Sequence, residues 1–204
     1  VHHNDANPSL LLKYVSHTSK NVQPGVDETV ITLQDDKYPV TVKLHYVAYA
    51  KENIIKTFTE ISHQEKKPLK LERYASAMLH FSRPAYYLTE FSGDWIYEAT
   101  MSTTPLNFGK KVLDTKLGAR ANMFVSPFFQ LALDNPSQEN AGEVLVGTIG
   151  WTGNFRFTFE VDNKNELRII SGINPYDSEY SLPAKEVFRT CLLYTSDAAD
   201  DGES

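Results

Sequence analysis

EVLVGTIGWTGNFRFTFEVDNKNELRIISGINPY, residues Glu143 to Tyr176, is the stretch whose reading decides the fold. Its first part alternates, with Val144, Val146 and Thr148 set against Leu145, Gly147 and Ile149. Trp151-Thr152-Gly153-Asn154 then interrupts the pattern as a turn signal. Phe155, Phe157, Phe159 and Val161 follow at period two, with Arg156, Thr158 and Glu160 between them. Strict alternation of this kind marks a strand with one buried face, because successive side chains point to opposite sides of a pleated backbone. Asp162-Asn163-Lys164-Asn165 is a second turn, after which Leu167, Ile169 and Ser171 lead into Gly172-Ile173-Asn174-Pro175-Tyr176. The stretch predicts three antiparallel strands, two hairpin turns and one aromatic face, with Trp151 at a hairpin tip.

The same signature recurs on both sides of it. Thr29 to Leu33, Val40 to Ala50, Ile54 to Ser62, Leu69 to Leu79 and Phe128 to Leu133 all read as strands. Tyr86 to Phe91 and Asp94 to Ala99 read as a hairpin turning at Ser92-Gly93. Leu10 to Val15 and Lys110 to Leu117 are further strands, Lys20 to Glu28, with Pro24-Gly25, is a turn, and Asp134 to Gly142 is a polar loop. Val1 to Pro8 is polar and His-rich and reads as a frayed entry. Helical periodicity with caps is not found over more than two turns. Short strands at regular spacing with turn clusters between them predict an all-β protein built as a large antiparallel β-sandwich, one domain over residues 1–190.

Composition narrows the function. The chain has 204 residues, enough to bury a real core, and its net charge of −6 argues against a nucleic-acid partner, which would call for a basic patch. No apolar run reaches the length of a membrane-spanning helix. The chain starts at Val1 with no visible signal peptide, which reads as a fragment and leaves localisation unknown.

The character changes abruptly at Cys191. CLLYTSDAAD, residues 191–200, is what a transposon-type sequencing adapter encodes when translated, so residues 191–204 read as a non-native, disordered tail. Asp197, Asp200, Asp201 and Glu203 lie in it without Lys or Arg, so the net charge of −6 becomes −2 for the remainder. The only cysteine, Cys191, also falls there, which excludes thiol chemistry and disulfides from residues 1–190.

Candidate chemistry is sparse. Asp35-Asp36 sits in a turn, and Asp94 and Glu98 stand four apart on one strand, hence on one face; both pairs read as solvated. A general acid needs an apolar pocket that raises its pKa, and none is legible around them. The six histidines, His2, His3, His17, His45, His63 and His80, show no ligand spacing, so no metal is expected; His45 reads as a partly buried strand residue, and His2-His3 as a loose end able at most to bind metal without function. Serine elbows and glycine-rich phosphate loops are absent from the sequence. Trp95, beside Asp94, and Trp151 are the residues able to stack on the apolar face of a sugar ring, while core or interface packing is the ordinary role of such side chains.

An ordered set of segments resembles the N-terminal domain of glycoside hydrolase family 36, the melibiase-type α-galactosidases. It comprises Leu71-Glu72-Arg73-Tyr74-Ala75-Ser76, Phe91-Ser92-Gly93-Asp94-Trp95 with Glu98, and Asp114-Thr115-Lys116-Leu117-Gly118-Ala119-Arg120. Ser126-Pro127-Phe128-Phe129, Gly142-Glu143-Val144 with Gly147, Gly153-Asn154-Phe155 and Gly172-Ile173-Asn174-Pro175-Tyr176 complete it. The resemblance implies a β-supersandwich placed before a (β/α)8 barrel that carries both catalytic aspartates of a retaining mechanism, with no metal or organic cofactor. It also implies terminal α-galactosides such as melibiose and raffinose as substrates, the barrel as partner, and a homo-oligomer in some members. No catalytic residue is then expected in this chain; Asp94, Trp95 and Trp151 are the expected substrate-facing residues. Two rival readings are an autonomous galactoside-binding module, or lectin, and a purely structural sandwich.

Overall fold

A computed structural model describes residues 1–121, 123–138 and 141–199. Among them the chain is built from sixteen strands and one short 3-10 turn, Gly118–Arg120. In chain order the strands are β1 (Leu12–Gln23), β2 (Val26–Asp35), β3 (Val40–Tyr49), β4 (Ile54–His63), β5 (Leu69–Leu71), β6 (Ala77–Ser82), β7 (Tyr86–Asp94) and β8 (Tyr97–Pro105). They continue with β9 (Gly109–Asp114), β10 (Val125–Gln138), β11 (Ala141–Gly150), β12 (Phe155–Val161), β13 (Glu166–Ile173), β14 (Tyr180–Leu182), β15 (Val187–Arg189) and β16 (Leu192–Ala199). All described pairings are antiparallel. The predicted all-β, antiparallel sandwich is the fold of the chain.

The large sheet runs β1-β2-β3-β4-β16-β11-β10-β7-β8, with β15 also on β4. A four-stranded sheet, β6-β13-β12-β9, covers its β7–β11 half, and the short pair β14-β5 packs on its β3–β4 part. Phe155, Phe157, Phe159 and Val161 of β12 and Leu167 and Ile169 of β13 face Leu88 of β7 and Phe129, Leu131 and Leu133 of β10. The Phe129 ring sits edge-on to Phe157 and Phe159, at 5.1 and 5.0 Å between ring centres, the arrangement that aromatic quadrupoles favour. A second core joins Val40, Val42 and Ile61 to Leu69, Leu71 and Leu182.

The aromatic stripe is therefore placed as read, but its neighbours are not. β12 and β13 pair with each other, whereas β11 belongs to the opposite sheet, between β10 and β16. Trp151 stands on a crossover between the two layers rather than on a hairpin tip. Both β11 and β12 have one inward face, and a sandwich lets these faces meet, which one continuous sheet would not.

The β7–β8 hairpin turns three residues later than expected. Asp94 pairs with Tyr97, so Trp95-Ile96 is the turn, and Gly93 lies in a register shift of β7 between Ser92 and Asp94. A bulge, like a turn, is a place where glycine is favoured, which is why Ser92-Gly93 mimics a turn. Asp94 and Glu98 consequently lie on different strands, not on one face of one strand; the Glu98 side chain is outside the described residues.

The entry of the chain is tied down. His3 is buried, its Nδ1 lies 2.5 Å from Glu65 Oε1, its Nε2 3.0 Å from the Ser9 carbonyl, and its ring stacks on Tyr38. His2 N donates to the Lys70 carbonyl. Contacts with the β2–β3 and β4–β5 loops and with β5 replace the expected fraying. The expected disorder of residues 191–204 likewise does not hold for Leu192–Ala199, which form β16 in the middle of the large sheet; residues 200–204 lie outside the described residues.

Candidate functional site

One end of the sandwich collects most of the marker segments. β7 ends there at Asp94, β9 at Asp114 and β13 at Ile173, while β10 and β12 begin there, as the registers Ser92↔Val125, Arg156↔Asp114 and Phe155↔Ile173 require. The loops at this end are Trp95-Ile96, residues 115–124, Trp151–Asn154 and Asn174–Glu179.

A polar network holds these loops together. Arg156 donates from Nε (3.1 Å) and from its terminal nitrogen (2.6 Å) to Asp114 Oδ2, and Asn174 Nδ2 donates to the same oxygen and to the Thr115 carbonyl. Asn154 Oδ1 accepts from Gly118 N at 2.7 Å, and the Asn154 carbonyl accepts from Asn174 N at 2.9 Å. Asn174 is buried and also receives the Tyr176 amide on Oδ1. Gly118 has φ +60°, a left-handed conformation that glycine adopts without steric cost. Asp114, Asn154 and Asn174 are thus committed to fixing loops. They belong to the marker segments, yet the reading of candidate sites passes over them, because their pairing spans three loops distant in sequence.

Apolar side chains project outward from this frame. Trp95 is 84% exposed and Trp151 46%. Trp95 N donates to Asp94 Oδ1 at 2.7 Å, so the carboxylate caps the turn that presents the indole. The Trp151 indole lies over Gly153, where a Cβ would stand 2.7 Å from Nε1. Ile96, Tyr97, Phe124, Leu117 and Tyr176 are exposed at the same end, and Gly93 N donates to the Phe124 carbonyl, joining the hairpin to the 115–124 loop. Lys116 Nζ sits 4.9 Å from the centre of the Tyr176 ring, a cation–π distance. Trp95 and Trp151 therefore share an end of the sandwich but stand on opposite sides of β10, on separate loops.

This end can present flat apolar faces, and its 174–179 loop brings Asp177 and Glu179 beside Glu72 and Arg73 around an open polar pocket. Where a carboxyl shift is resolved, at Asp5, Glu28, Asp35 and Asp162, it is downward, opposite to what a proton donor needs, and all four lie elsewhere. Asp114 is held by Arg156. Among the described residues no group of three or more His, Cys, Asp or Glu side chains is placed to hold a metal ion.

Residues 1–183 match the model of the glycosyl hydrolase family 36 N-terminal domain. Alpha-galactosidase AgaA of Geobacillus stearothermophilus is 30% identical over 193 residues, covering 94% of this chain and 26% of the relative. Its crystal structure superposes with a TM-score of 0.87 at 26% identity, covering 97% of this chain and 29% of that one. A substituted form of AgaA in complex with raffinose superposes at 0.89, with the same identity and coverage. The chain thus spans about a quarter of the length of the curated relative. It belongs to glycosyl hydrolase family 36, whose N-terminal domain it matches over residues 1–183.

Proposed function

We propose that this chain is the non-catalytic N-terminal domain of a retaining α-galactosidase that removes terminal α-galactosyl residues from sugars such as melibiose and raffinose. The observation that carries the reading is the match of residues 1–183 to the N-terminal domain of the family. The work of bond cleavage falls to a (β/α)8 barrel in the parent protein. The domain packs on that barrel, shapes the mouth of its active site and contributes to oligomer contacts, without cofactor or metal. Trp95, Asp94 and Trp151 are the residues we assign to the sugar-facing or subunit-facing rim, since exposed indoles on a braced end are suited to either contact. Residues 191–204 are, on this reading, foreign to the parent sequence.

An aryl α-galactoside assay tests the proposal: the chain alone releases no phenol, whereas the intact parent does. Release by the purified chain would overturn it. The exposure of the indoles also supports the rival reading, a free-standing galactoside-binding module. A galactose titration followed by tryptophan fluorescence separates the two. A saturable shift with the chain alone favours the binding module, and a flat trace favours a domain that needs its barrel.

A further inference from the structure

Two buried histidines are joined through Glu65, and their hydrogen bonds ask for different numbers of protons. His63 Nε2 donates to the Leu182 carbonyl at 2.9 Å, and its Nδ1 accepts from Glu65 N at 3.2 Å. One donor and one acceptor is what a neutral imidazole offers. His3 is placed differently. Its Nδ1 faces Glu65 Oε1 and its Nε2 faces the Ser9 carbonyl, and both partners are acceptors. The His3 side chain is fully buried and that of Glu65 nearly so. A neutral ring has one N–H and satisfies one of these contacts; an imidazolium has two and satisfies both.

The surroundings favour that charge. Glu65 Oε2 accepts from Asn4 N at 3.1 Å, so both carboxylate oxygens are committed to the entry segment. Asp5 of the same segment and Asp35 at the end of β2 also act on the ring electrostatically. Both are held below the ordinary carboxylate range, chiefly by the amides of Asn7 and Leu11, so both are negative at neutral pH. Tyr38 of the β2–β3 loop stacks on the ring and donates its hydroxyl to Asp5. His2, the preceding residue, is turned to Glu72 instead.

The same segment covers apolar space. His2 and Lys70 exchange N–H donors and carbonyls, and Leu11 N donates to Asp35 Oδ2. Beneath these ties, Val1, Leu10 and Leu12 wall a cavity of about 270 Å³ against Val42, Leu44 and Ile61.

We infer that residues 2–11 form a proton-operated strap: with a proton on each ring nitrogen, His3 latches the segment to Glu65 over one side of this cavity, and loss of one proton releases it. Deprotonation sets a bare ring nitrogen against an acceptor in a buried place, which removes a contact and leaves polar groups unsatisfied. The closed strap therefore holds one proton more than the open strap wherever an exposed histidine is neutral, above about pH 6.5. Linkage gives the sign. Opening releases a proton, so the strap is closed at mildly acidic pH and opens more readily as pH rises, by up to about tenfold in the opening constant per pH unit. The device controls access to the cavity and is independent of the parent's enzymatic activity.

Hydrogen exchange of the whole chain tests it, read by mass spectrometry on the amides of residues 2–11 and corrected for the intrinsic base-catalysed rate. Between about pH 6 and about pH 9 their protection should fall at least roughly tenfold relative to the amides of β12 and β13. Glu65→Gln is the discriminating variant. Its amide nitrogen can donate to a bare Nδ1 while its oxygen still accepts from Asn4 N, so neutral His3 is satisfied without the extra proton. In that variant the fall should shrink to within about threefold. An undiminished fall in Glu65→Gln overturns the inference, as does the lack of any fall in the unsubstituted chain. Imidazole nitrogen-15 shifts give a measurement that needs no variant. At about pH 7.5, His3 should show two protonated nitrogens where His63 shows one. A neutral His3 signature in the closed strap overturns the inference as well.

Discussion

Gly147 is the position where one added methyl group tests the packing of the sandwich. It lies on β11 opposite Phe129 of β10, and the Phe129 ring crosses the backbone there. A Cβ at Gly147 would stand 2.5 Å from Phe129 Cε1 and closer still to Cζ, inside any tolerable carbon–carbon contact. The ring has no room to retreat: it is fully buried and held edge-on by Phe157 and Phe159. Overpacking of a filled core costs about 1–3 kcal/mol. Replacing glycine by alanine returns about 0.5–1 kcal/mol by restricting the unfolded chain. The contact violation is severe, so Gly147→Ala should fall toward the upper part of the range, a net loss of about 2 kcal/mol. For a protein of this length that is a drop of roughly 4–8 °C in melting temperature. Circular dichroism melts read it directly. The double variant Gly147→Ala with Phe129→Leu should be less destabilised than the sum of the two single variants, because the shorter side chain removes the collision. A Gly147→Ala protein melting within about 1 °C of the parent would refute the claim that Phe129 is locked over that glycine.

Three further predictions concern other parts of the molecule. Tyr86 is buried, and its hydroxyl accepts from Arg83 N while facing the carbonyls of Phe81 and Asn165; Tyr86→Phe should cost about 1–3 kcal/mol, read in urea unfolding, since it orphans buried polar groups. Lys20, then His45, hydrogen-bond Glu28 and hold its carboxyl below the ordinary value of 4.5; a depressed folded-state pKa gives stability that is present above the unfolded value and lost as pH falls through the folded one. Urea midpoints should therefore decline below about pH 4.5, and Glu28→Gln should flatten that acid limb while lowering the neutral-pH midpoint. Trp95→Ala should leave the melting temperature unchanged and remove most of the iodide-quenchable emission, because Trp95 is far more exposed than Trp151; strong residual quenching would mean that Trp151 is the more accessible indole.

The candidate end was only partly legible in advance. Trp95 and Trp151 were identifiable as large aromatics next to turn residues. The bracing that makes them a site, Asp114 with Arg156 and Asn174 with Asn154, joins residues as far as 60 positions apart and leaves no local pattern. The turn falls at Trp95-Ile96 rather than at Ser92-Gly93 for a physical reason. Ile96 takes φ +75°, which a β-branched residue adopts only under tertiary constraint, so propensity points instead to the neighbouring glycine. His3 was equally hidden, since its burial depends on Tyr38 and Glu65 arriving from the β2–β3 and β4–β5 loops.

What the sequence by itself determined is the class of the fold and the face of each strand. Period-two alternation is a property of the local chain, and the Phe155, Phe157 and Phe159 stripe had to be buried somewhere. Which surface buries it was a matter for the tertiary structure. β11 and β12 are neighbours in sequence and lie in opposite layers, because the Phe129 ring of β10 fills the space that the stripe faces. The tail shows the same division. The sequence reading expects disorder there, whereas Leu192–Ala199 form a strand paired with β11 on one side and β4 on the other, with Leu193 and Thr195 facing inward. Backbone hydrogen bonding does not distinguish one extended sequence from another; pairing with β4 on one side and β11 on the other decides the outcome.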